Sequence, residues 1–121
     1  MKPSERDPIL YLEDILTSMK RVEEYIEGMN FAKFKKDYKT VDAVIRNFEI
    51  IGEASKNLAR EIKERHTKIP WDEMYRLRNR ISHEYFGIDY EIIWDIATQY
   101  LPTNQKDVLV VLNFELTKRA T

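Results

Sequence analysis

The chain has 121 residues, a length that suits one domain and is short for two. It contains no cysteine, which excludes disulfide scaffolds, cysteine-ligated zinc or iron–sulfur sites and a cysteine nucleophile. Twenty Lys and Arg residues nearly balance 21 Asp and Glu residues, and the net charge of -1 excludes a protein that coats nucleic acid through bulk charge.

The first predicted element is a helix. Asp7 and Pro8 are typical of a helix start, and apolar residues at three- and four-residue spacing continue it to about Gly28. The next segment, Phe31–Lys39, interleaves lysines with aromatic residues, a mixture that can bind nucleic acid through phosphate contacts and stacking. We favour a short amphipathic turn whose lysines face water and whose aromatic side chains cover the bundle end. These aromatic residues are Phe31, Phe34 and Tyr38.

A second long helix is predicted over residues 40–65, with Gly52 in its interior. Because a glycine inside a helix costs about 1 kcal/mol relative to alanine, we expect a neighbouring helix or a ligand to approach closely there. Glu49 and Glu53 are four residues apart and therefore share a face of this helix. His66 follows in a polar helix end and is expected to face solvent.

Pro70 opens a third predicted helix, which we expect to end at Gly87. A short fourth helix begins at Asp89 and is expected to stop at Pro102, because the residue before a proline disfavours helical geometry. The last helix covers about residues 103–119. Its predicted apolar side consists of Val108, Leu109, Leu112 and Leu116.

Helices joined by short loops pack antiparallel. We therefore predict an all-α, up-and-down bundle of four main helices plus a short one, forming a single domain over residues 1–121. No run approaches the roughly 20 apolar residues that span a bilayer, and the polar N-terminus lacks the apolar core of a signal peptide. The expectation is a soluble, cytoplasmic protein that does not enter a membrane.

The segment Trp71–Gly87 concentrates the side chains suited to chemistry. Arg76, Arg78 and Arg80 have no acid between them, so an anionic group must offset their repulsion. That group is either a carboxylate elsewhere in the bundle or a phosphate ligand. Glu53 pairs with Arg78 across the bundle or faces water, and the sequence leaves both possibilities open.

His83 is one of only two histidines and the stronger candidate for proton transfer near neutral pH. Asn79 lies four residues before it, on the same helix face. Arg78 lies five residues before it, about 140° away around an ideal helix. If Arg78 and His83 act together, either the helix is distorted or the partner residue comes from a second chain.

The spacings of the common metal and phosphate motifs are not present. The His-Glu pair at 83–84 lacks the second histidine of a zinc protease, and neither histidine has a glutamate three residues before it, as di-iron bundles require. Three glycines form no phosphate-binding loop. The remaining chemistry is metal-independent acid–base catalysis, for which we expect no cofactor.

The segment contains Arg78-Asn79, then three residues, His83, one residue and Tyr85. This pattern resembles the Arg-x4-His-x-Tyr signature of HEPN-superfamily ribonuclease toxins of the HepT type. Further segments extend the resemblance over most of the chain from about residue 46 to residue 102. They are Phe48–Ala54, Ile69–Trp71, Tyr85–Tyr90 and Trp94.

The resemblance implies a small HEPN-like bundle that forms homodimers, with Arg78 and His83 of both chains meeting in a cleft. It implies metal-independent cleavage of an RNA, such as tRNA or mRNA, by attack of the 2′-hydroxyl, leaving a 2′,3′-cyclic phosphate. His83 would be the general acid/base, Arg78 would hold the phosphate and its transition-state charge, and Asn79 would orient the phosphate or the imidazole. Arg76 and Arg80 are candidate RNA-phosphate contacts or surface charges.

The resemblance also implies a partner, a minimal nucleotidyltransferase antitoxin that silences the toxin by adenylylating Tyr85. A bulky anion there would occupy or repel the phosphate site. The residues alone also allow less specific interpretations: His83 as a structural histidine at a helix end, and Tyr85 as an ordinary amphipathic tyrosine. The alternative function is a non-catalytic helical subunit that docks a nucleotidyltransferase.

Overall fold

The computed structural model describes residues 6–83 and 89–120, and the side chains of residues 80–83 are outside that description. The described part is helical without strands, which confirms the all-α prediction, and none of its helices is long and apolar enough to cross a membrane. The helices are α1 (Pro8–Ile26), α2 (Phe31–Lys36), α3 (Tyr38–Asn57), α4 (Arg60–Arg65), α5 (Trp71–His83), α6 (Tyr90–Asp95) and α7 (Leu101–Ala120), with a π-helical segment (Ile96–Tyr100) joining α6 to α7.

Helix α1 begins and ends as its sequence predicts. The side chain of Asp7 accepts a hydrogen bond from the backbone N–H of Ile9 at 3.0 Å, and Pro8 occupies the first turn. Gly28 follows the helix with a φ of 75°, a left-handed conformation that favours glycine. The buried face of α1 includes Leu12, Ile15, Met19 and Val22.

The long helices pack antiparallel. Arg119, near the end of α7, donates to the carboxylate of Asp7, just before α1, at 2.8 Å. The Ser55 hydroxyl, late in α3, donates to the sulfur of Met74, early in α5, at 3.4 Å. Helix α3 contacts both α1 and α5 and is the central helix of the bundle.

The predicted helix over residues 40–65 is wrong as one continuous element. It divides into α3 and α4 because Leu58 adopts an extended backbone, with φ of -63° and ψ of 139°. This turn allows Leu58 and Ile62 both to be buried. The ammonium group of Lys63 donates to the carbonyls of Ser55 and Lys56, at 3.1 and 3.3 Å, and so satisfies acceptors at the end of α3.

The expected helix stop at Pro102 is also wrong, because the helical backbone continues from α6 through the π-helical segment into α7. The N–H of Leu101 donates to the carbonyl of Ile96, five residues earlier, instead of four. A wider turn just before a proline accommodates its ring and its missing N–H donor. The other expected boundary, Gly87, lies outside the described residues.

The aromatic-lysine segment forms a helix of its own, α2, followed by the first turn of α3. Phe34 is fully buried, with its ring centroid 5.1 Å from that of Trp94, and the lysines of the segment are exposed, as expected. Tyr38 is 66% exposed, so the prediction that it covers the bundle end is wrong. The reason is that Asp37 caps a new helix and makes Tyr38 an outward-facing first residue of α3.

The predicted apolar side of the last helix is only partly correct. Val108 is buried and Leu112 packs against the core, but Leu109 and Leu116 are exposed. Val111 is buried in their place. Apolar residues occur around most of α7, so their spacing alone does not identify the inner face.

Candidate active site

Arg78 lies at a close contact between α5 and α3. A β-carbon placed on Gly52 would overlap the β-carbon of Arg78 and lie 2.8 Å from the carbonyl oxygen of Met74. Backbone atoms cannot move aside as a flexible side chain can, so this contact requires glycine. The expected close approach at Gly52 is confirmed, and the neighbour is the helix that carries Arg78.

Glu53, the next residue of α3, pairs with Arg78 across the same contact. The Nε of Arg78 lies 3.3 Å from Oε2 of Glu53, whose other carboxylate oxygen accepts a hydrogen bond from Asn57 at 3.3 Å. The Arg78 side chain is 32% exposed. A partly exposed ion pair adds at most about 1 kcal/mol to stability. The contact is an ion pair without a hydrogen bond, since Oε2 of Glu53 has no hydrogen-bond partner among the described residues, and it places a carboxylate beside the guanidinium.

An open cleft of about 260 Å³ lies beside this pair, between α1, α3 and α5. Arg6 is held at one side of it by Asp14, at 2.8 Å, and lies over the ring of Tyr11. Among the residues that the structure describes, no group of His, Asp and Glu side chains is arranged to hold a metal ion. The lining residues are Arg6, Tyr11, Asp14, Arg46, Glu49, Ile50, Glu53, Ala54, Asn57 and Arg78.

Helix α5 is α-helical from Trp71 to His83. Its backbone therefore keeps positions 78 and 83 about 140° apart around the helix axis. Asn79 is exposed, four residues before His83. The described helix shows no distortion at Arg78 that would bring the two predicted catalytic positions to one face.

Of the other predicted site residues, the two whose side chains the structure describes, Arg76 and Asn79, do not line the cleft. Arg76 is exposed and does not line it, and its position lies about 160° from that of Arg78 around α5. The side chains of Arg80 and His83 are outside the described part of the structure, and so is Tyr85 altogether. Of the predicted set, the structure therefore places the side chains of Arg76, Arg78 and Asn79.

His66 is not the solvent-facing residue that its polar surroundings predict. Its side chain is only 14% exposed, and its Nε2 lies 2.8 Å from a carboxylate oxygen of Glu115 on α7. The ring also packs edge-on against Phe114, with centroids 5.0 Å apart. The expectation is wrong because the partners are almost 50 residues away in sequence, on a helix whose inner face the sequence does not identify.

Glu115 is the buried centre of this second polar cluster, which lies outside the cleft. Arg65 donates to both of its carboxylate oxygens, each at 3.1 Å. Burial acts to raise the pKa of Glu115, but the hydrogen bonds from Arg65 and His66 outweigh it and hold the pKa below its ordinary value. The cluster therefore joins the end of α4 to α7 through a charged carboxylate. A sequence signal for it existed in the three- and four-residue spacing of Val108, Val111 and Glu115.

The chain matches the family model described as ribonuclease HepT-like over residues 15–110, a region that includes Gly52, Glu53 and the whole motif from Arg78 to Tyr85. It is 45% identical over 103 residues to a protein of Methanocaldococcus jannaschii named "Putative RNase", covering 85% of each chain. A Caldanaerobacter subterraneus protein, also named "Putative RNase", is 41% identical over 110 residues, covering 91% of this chain and 98% of the relative.

A protein of Thermococcus cleftensis named "Probable ribonuclease HepT" is 44% identical over 103 residues, covering 85% of this chain and 91% of the relative. No solved structure matches the chain significantly.

Proposed function

The chain belongs to the HepT-like ribonuclease family, and from this premise we propose that it is a toxin-type endoribonuclease that cuts RNA without a metal ion, through Arg78 and His83. One observation carries the assignment of the site. The arginine that begins the Arg-x4-His-x-Tyr motif is the residue that Gly52 and Glu53 hold at the edge of an open cleft.

Arg78 is suited to stabilise a phosphorane. Its Nε lies beside the Glu53 carboxylate, and its guanidinium carries two further nitrogens whose N–H groups can donate to two phosphate oxygens at once. Charge develops on those oxygens as the nucleophile attacks, and a donor already fixed in position needs no reorganisation at that moment. The pair with Glu53 supports this role because it restricts the arginine before substrate binds.

His83 is the proposed general acid/base. The RNA 2′-hydroxyl attacks the adjacent phosphorus and loses its proton to the imidazole, and the bond from phosphorus to the 5′-oxygen breaks. The imidazolium then donates a proton to that leaving oxygen. The products are a 2′,3′-cyclic phosphate and a free 5′-hydroxyl. Asn79, one helical turn before His83, would orient the phosphate or the imidazole.

We propose that the active site is completed by a second copy of the chain. The regular geometry of α5 supports this, since positions 78 and 83 of one helix lie about 140° apart and do not share a face. In a homodimer, Arg78 of one chain and His83 of the other would act on the same phosphate. Arg76 and Arg80 remain candidate contacts to neighbouring RNA phosphates.

Regulation by a cognate minimal nucleotidyltransferase antitoxin is part of the same proposal. Transfer of AMP to the hydroxyl of Tyr85, two residues after His83, would place a bulky anion beside the phosphate site and oppose RNA binding. Incubation with such an enzyme and ATP should add one or more AMP groups to the chain, with Tyr85 identified by mass spectrometry. An unmodified Tyr85 would contradict this part of the proposal.

The chemistry is tested by incubating the purified full chain with cellular RNA in excess EDTA and analysing the new ends. We expect cleavage, with 2′,3′-cyclic phosphate and 5′-hydroxyl termini. Cleavage that EDTA abolishes, or that leaves 5′-phosphates, would contradict the mechanism. If the wild-type chain cuts no RNA and causes no growth arrest when expressed alone, the non-catalytic subunit becomes the better account.

A further inference from the structure

The surface around α2 carries a concentration of exposed positive charge that the proposed chemistry does not use. Lys33, Lys35, Lys36 and Lys39 are all exposed, and Tyr38 among them is 66% exposed. We call these five residues the α2 lysine patch. The acid within the segment, Asp37, is already engaged, because its carboxylate accepts hydrogen bonds from the N–H and hydroxyl of Thr40, at 3.1 and 2.8 Å.

The α2 lysine patch is not explained by packing. Phe34 and Phe31 attach the segment to the bundle through Trp94, with ring centroids 5.1 and 6.5 Å away. Core burial therefore accounts for these two aromatic residues. Tyr38 contributes little to the core, and an exposed aromatic ring among lysines provides the two contacts that single-stranded nucleic acid uses, stacking and phosphate pairing.

Helix α3 connects the patch to the candidate active site. Lys39, Arg46 and Glu53 are spaced by seven residues, so each is rotated by only about 20° from the last around the helix and lies about 10 Å further along it. Arg46 is exposed and lines the cleft, and Glu53 holds Arg78. One stripe of α3 thus runs from the lysine patch to the motif arginine, with Asp42 and Glu49 beside it.

The C-terminal end of α5 lies toward the end of the bundle that carries the lysine patch. Gly52 lies against Arg78 and Ser55 bonds to Met74, so the two helices run antiparallel with a fixed register. Five residues beyond Arg78, position 83 is level with about position 47 of α3. Lys39 is about eight residues, or roughly 12 Å, further along the helix axis. Measured along the helix axes, the lysine patch therefore lies roughly 12 Å beyond the level of position 83, a separation that a few nucleotides can span.

We propose that the α2 lysine patch and Arg46 form a track that binds the phosphate backbone of a single-stranded RNA extending from the active site, with Tyr38 stacking on one of its bases. This inference rests on the proposed function and specifies its substrate as an extended strand. Each chain of a dimer would supply one track.

The test measures RNA binding separately from cleavage. The full chain carrying His83→Ala, which should leave RNA uncut, is titrated against fluorescein-labelled single-stranded RNAs of 20 and of 4 nucleotides, with anisotropy as the readout. The patch variant adds Lys36→Gln and Lys39→Gln. The matched control adds Lys20→Gln and Lys106→Gln, two exposed lysines on α1 and α7 that remove the same charge. Thermal unfolding by circular dichroism verifies that all of these proteins fold.

We expect the patch variant to bind the 20-nucleotide RNA about tenfold more weakly, and the control pair less than twofold more weakly. The slope of log K against log salt should become shallower by about 1.4, since each lost single-strand phosphate contact removes about 0.7. The 4-nucleotide RNA should bind all three proteins alike. Tyr38→Ala should weaken binding of the 20-nucleotide RNA about fivefold or more, because the stacking contact is lost.

Equal weakening by the patch and control pairs, or none by the patch pair, would overturn the track. Cleavage of the same RNA by the wild-type chain is assayed in parallel to separate the two proposals. If the wild-type chain cleaves the RNA but the patch substitutions do not weaken binding, the proposed function stands and only the track is contradicted. Patch-dependent binding without cleavage would support the track and contradict the proposed ribonuclease activity. If the chain neither binds nor cleaves the RNA, both proposals are contradicted.

Discussion

Glu53 on α3 and Arg78 on α5 form an ion pair, with Oε2 and Nε 3.3 Å apart, directly beside the contact that Gly52 makes with α5. The glycine allows the two helices to approach closely, and the glutamate places a carboxylate beside the guanidinium. The two neighbouring residues of α3 therefore position the motif arginine in different ways, which separate substitutions distinguish.

Gly52→Ala should destabilise the protein by about 2 kcal/mol, because the added carbon meets the backbone oxygen of Met74 and the β-carbon of Arg78. Alanine is intrinsically the better helix residue by up to about 1 kcal/mol, so a loss of stability would have to come from the contact with α5. Urea unfolding followed by circular dichroism measures the change. Unchanged or increased stability would show that the two helices can separate freely at this point.

Glu53→Gln should change stability by less than about 1 kcal/mol, since the pair is partly exposed, yet lower RNA cleavage about tenfold because Arg78 loses its charged partner. The matched control is Glu64→Gln, which removes a fully surface pair with Arg60 and should leave both quantities unchanged. Equal cleavage rates for the two variants would show that Glu53 does not position the arginine.

Glu115 should make folding sensitive to acid. Its pKa is lowered in the folded protein, so the stabilisation that it provides is complete above the ordinary pKa of about 4.5 and is lost as the pH falls through the folded value. Glu115→Gln should destabilise the protein by about 3 kcal/mol at pH 7 and flatten the fall in stability below pH 4.5. Urea unfolding at several pH values between 3 and 7 measures both effects.

Asp7→Asn is the control for that experiment. It retains an N-cap for α1 but removes the ion pair with Arg119, whose hydrogen bonds lower the pKa of Asp7 to about 2. Because this pair is exposed, the loss at pH 7 should stay below about 1 kcal/mol. If Asp7→Asn lowered the free energy of unfolding at pH 7 as much as Glu115→Gln, the buried cluster would not stabilise the protein more than an exposed ion pair does.

Mixing two inactive variants tests whether the active site is shared between chains. In a dimer of one Arg78→Ala chain and one His83→Ala chain, one shared site retains both an arginine and a histidine. Refolding the two variants together should therefore restore about a quarter of wild-type cleavage, since half of the dimers are mixed and each has one intact site. No recovery, despite mixed dimers detected by native mass spectrometry, would assign both residues to a single chain.

The sequence predicts the helices better than it predicts their junctions. Periodicity and caps located α1 correctly, and Gly52 correctly indicated a close helix contact. The break at Leu58 was missed because burial of an extended residue depends on the packed bundle and not on a local signal. The continuation through Pro102 was missed because a π-helical turn compensates for the proline in three dimensions.

The candidate site, like the fold, was predicted from the sequence only in part. Arg78 stands out by its motif, but whether Glu53 faces it depends on the register of two helices. The cluster of His66 and Glu115 was missed, since it joins residues far apart in sequence and the apolar pattern of α7 is ambiguous. Local chemistry identifies which residues are reactive, and tertiary packing decides which of them meet.

The most direct test of the account is RNA cleavage in EDTA by the wild-type chain, Arg78→Ala and His83→Ala, with Arg60→Ala as a control for loss of an exposed arginine. Each variant is first shown to fold by circular dichroism. We predict cleavage by the wild type and by Arg60→Ala, and at least a hundredfold loss in both Arg78→Ala and His83→Ala. Cleavage at near wild-type rates by either of these two variants would contradict the proposed roles of Arg78 and His83.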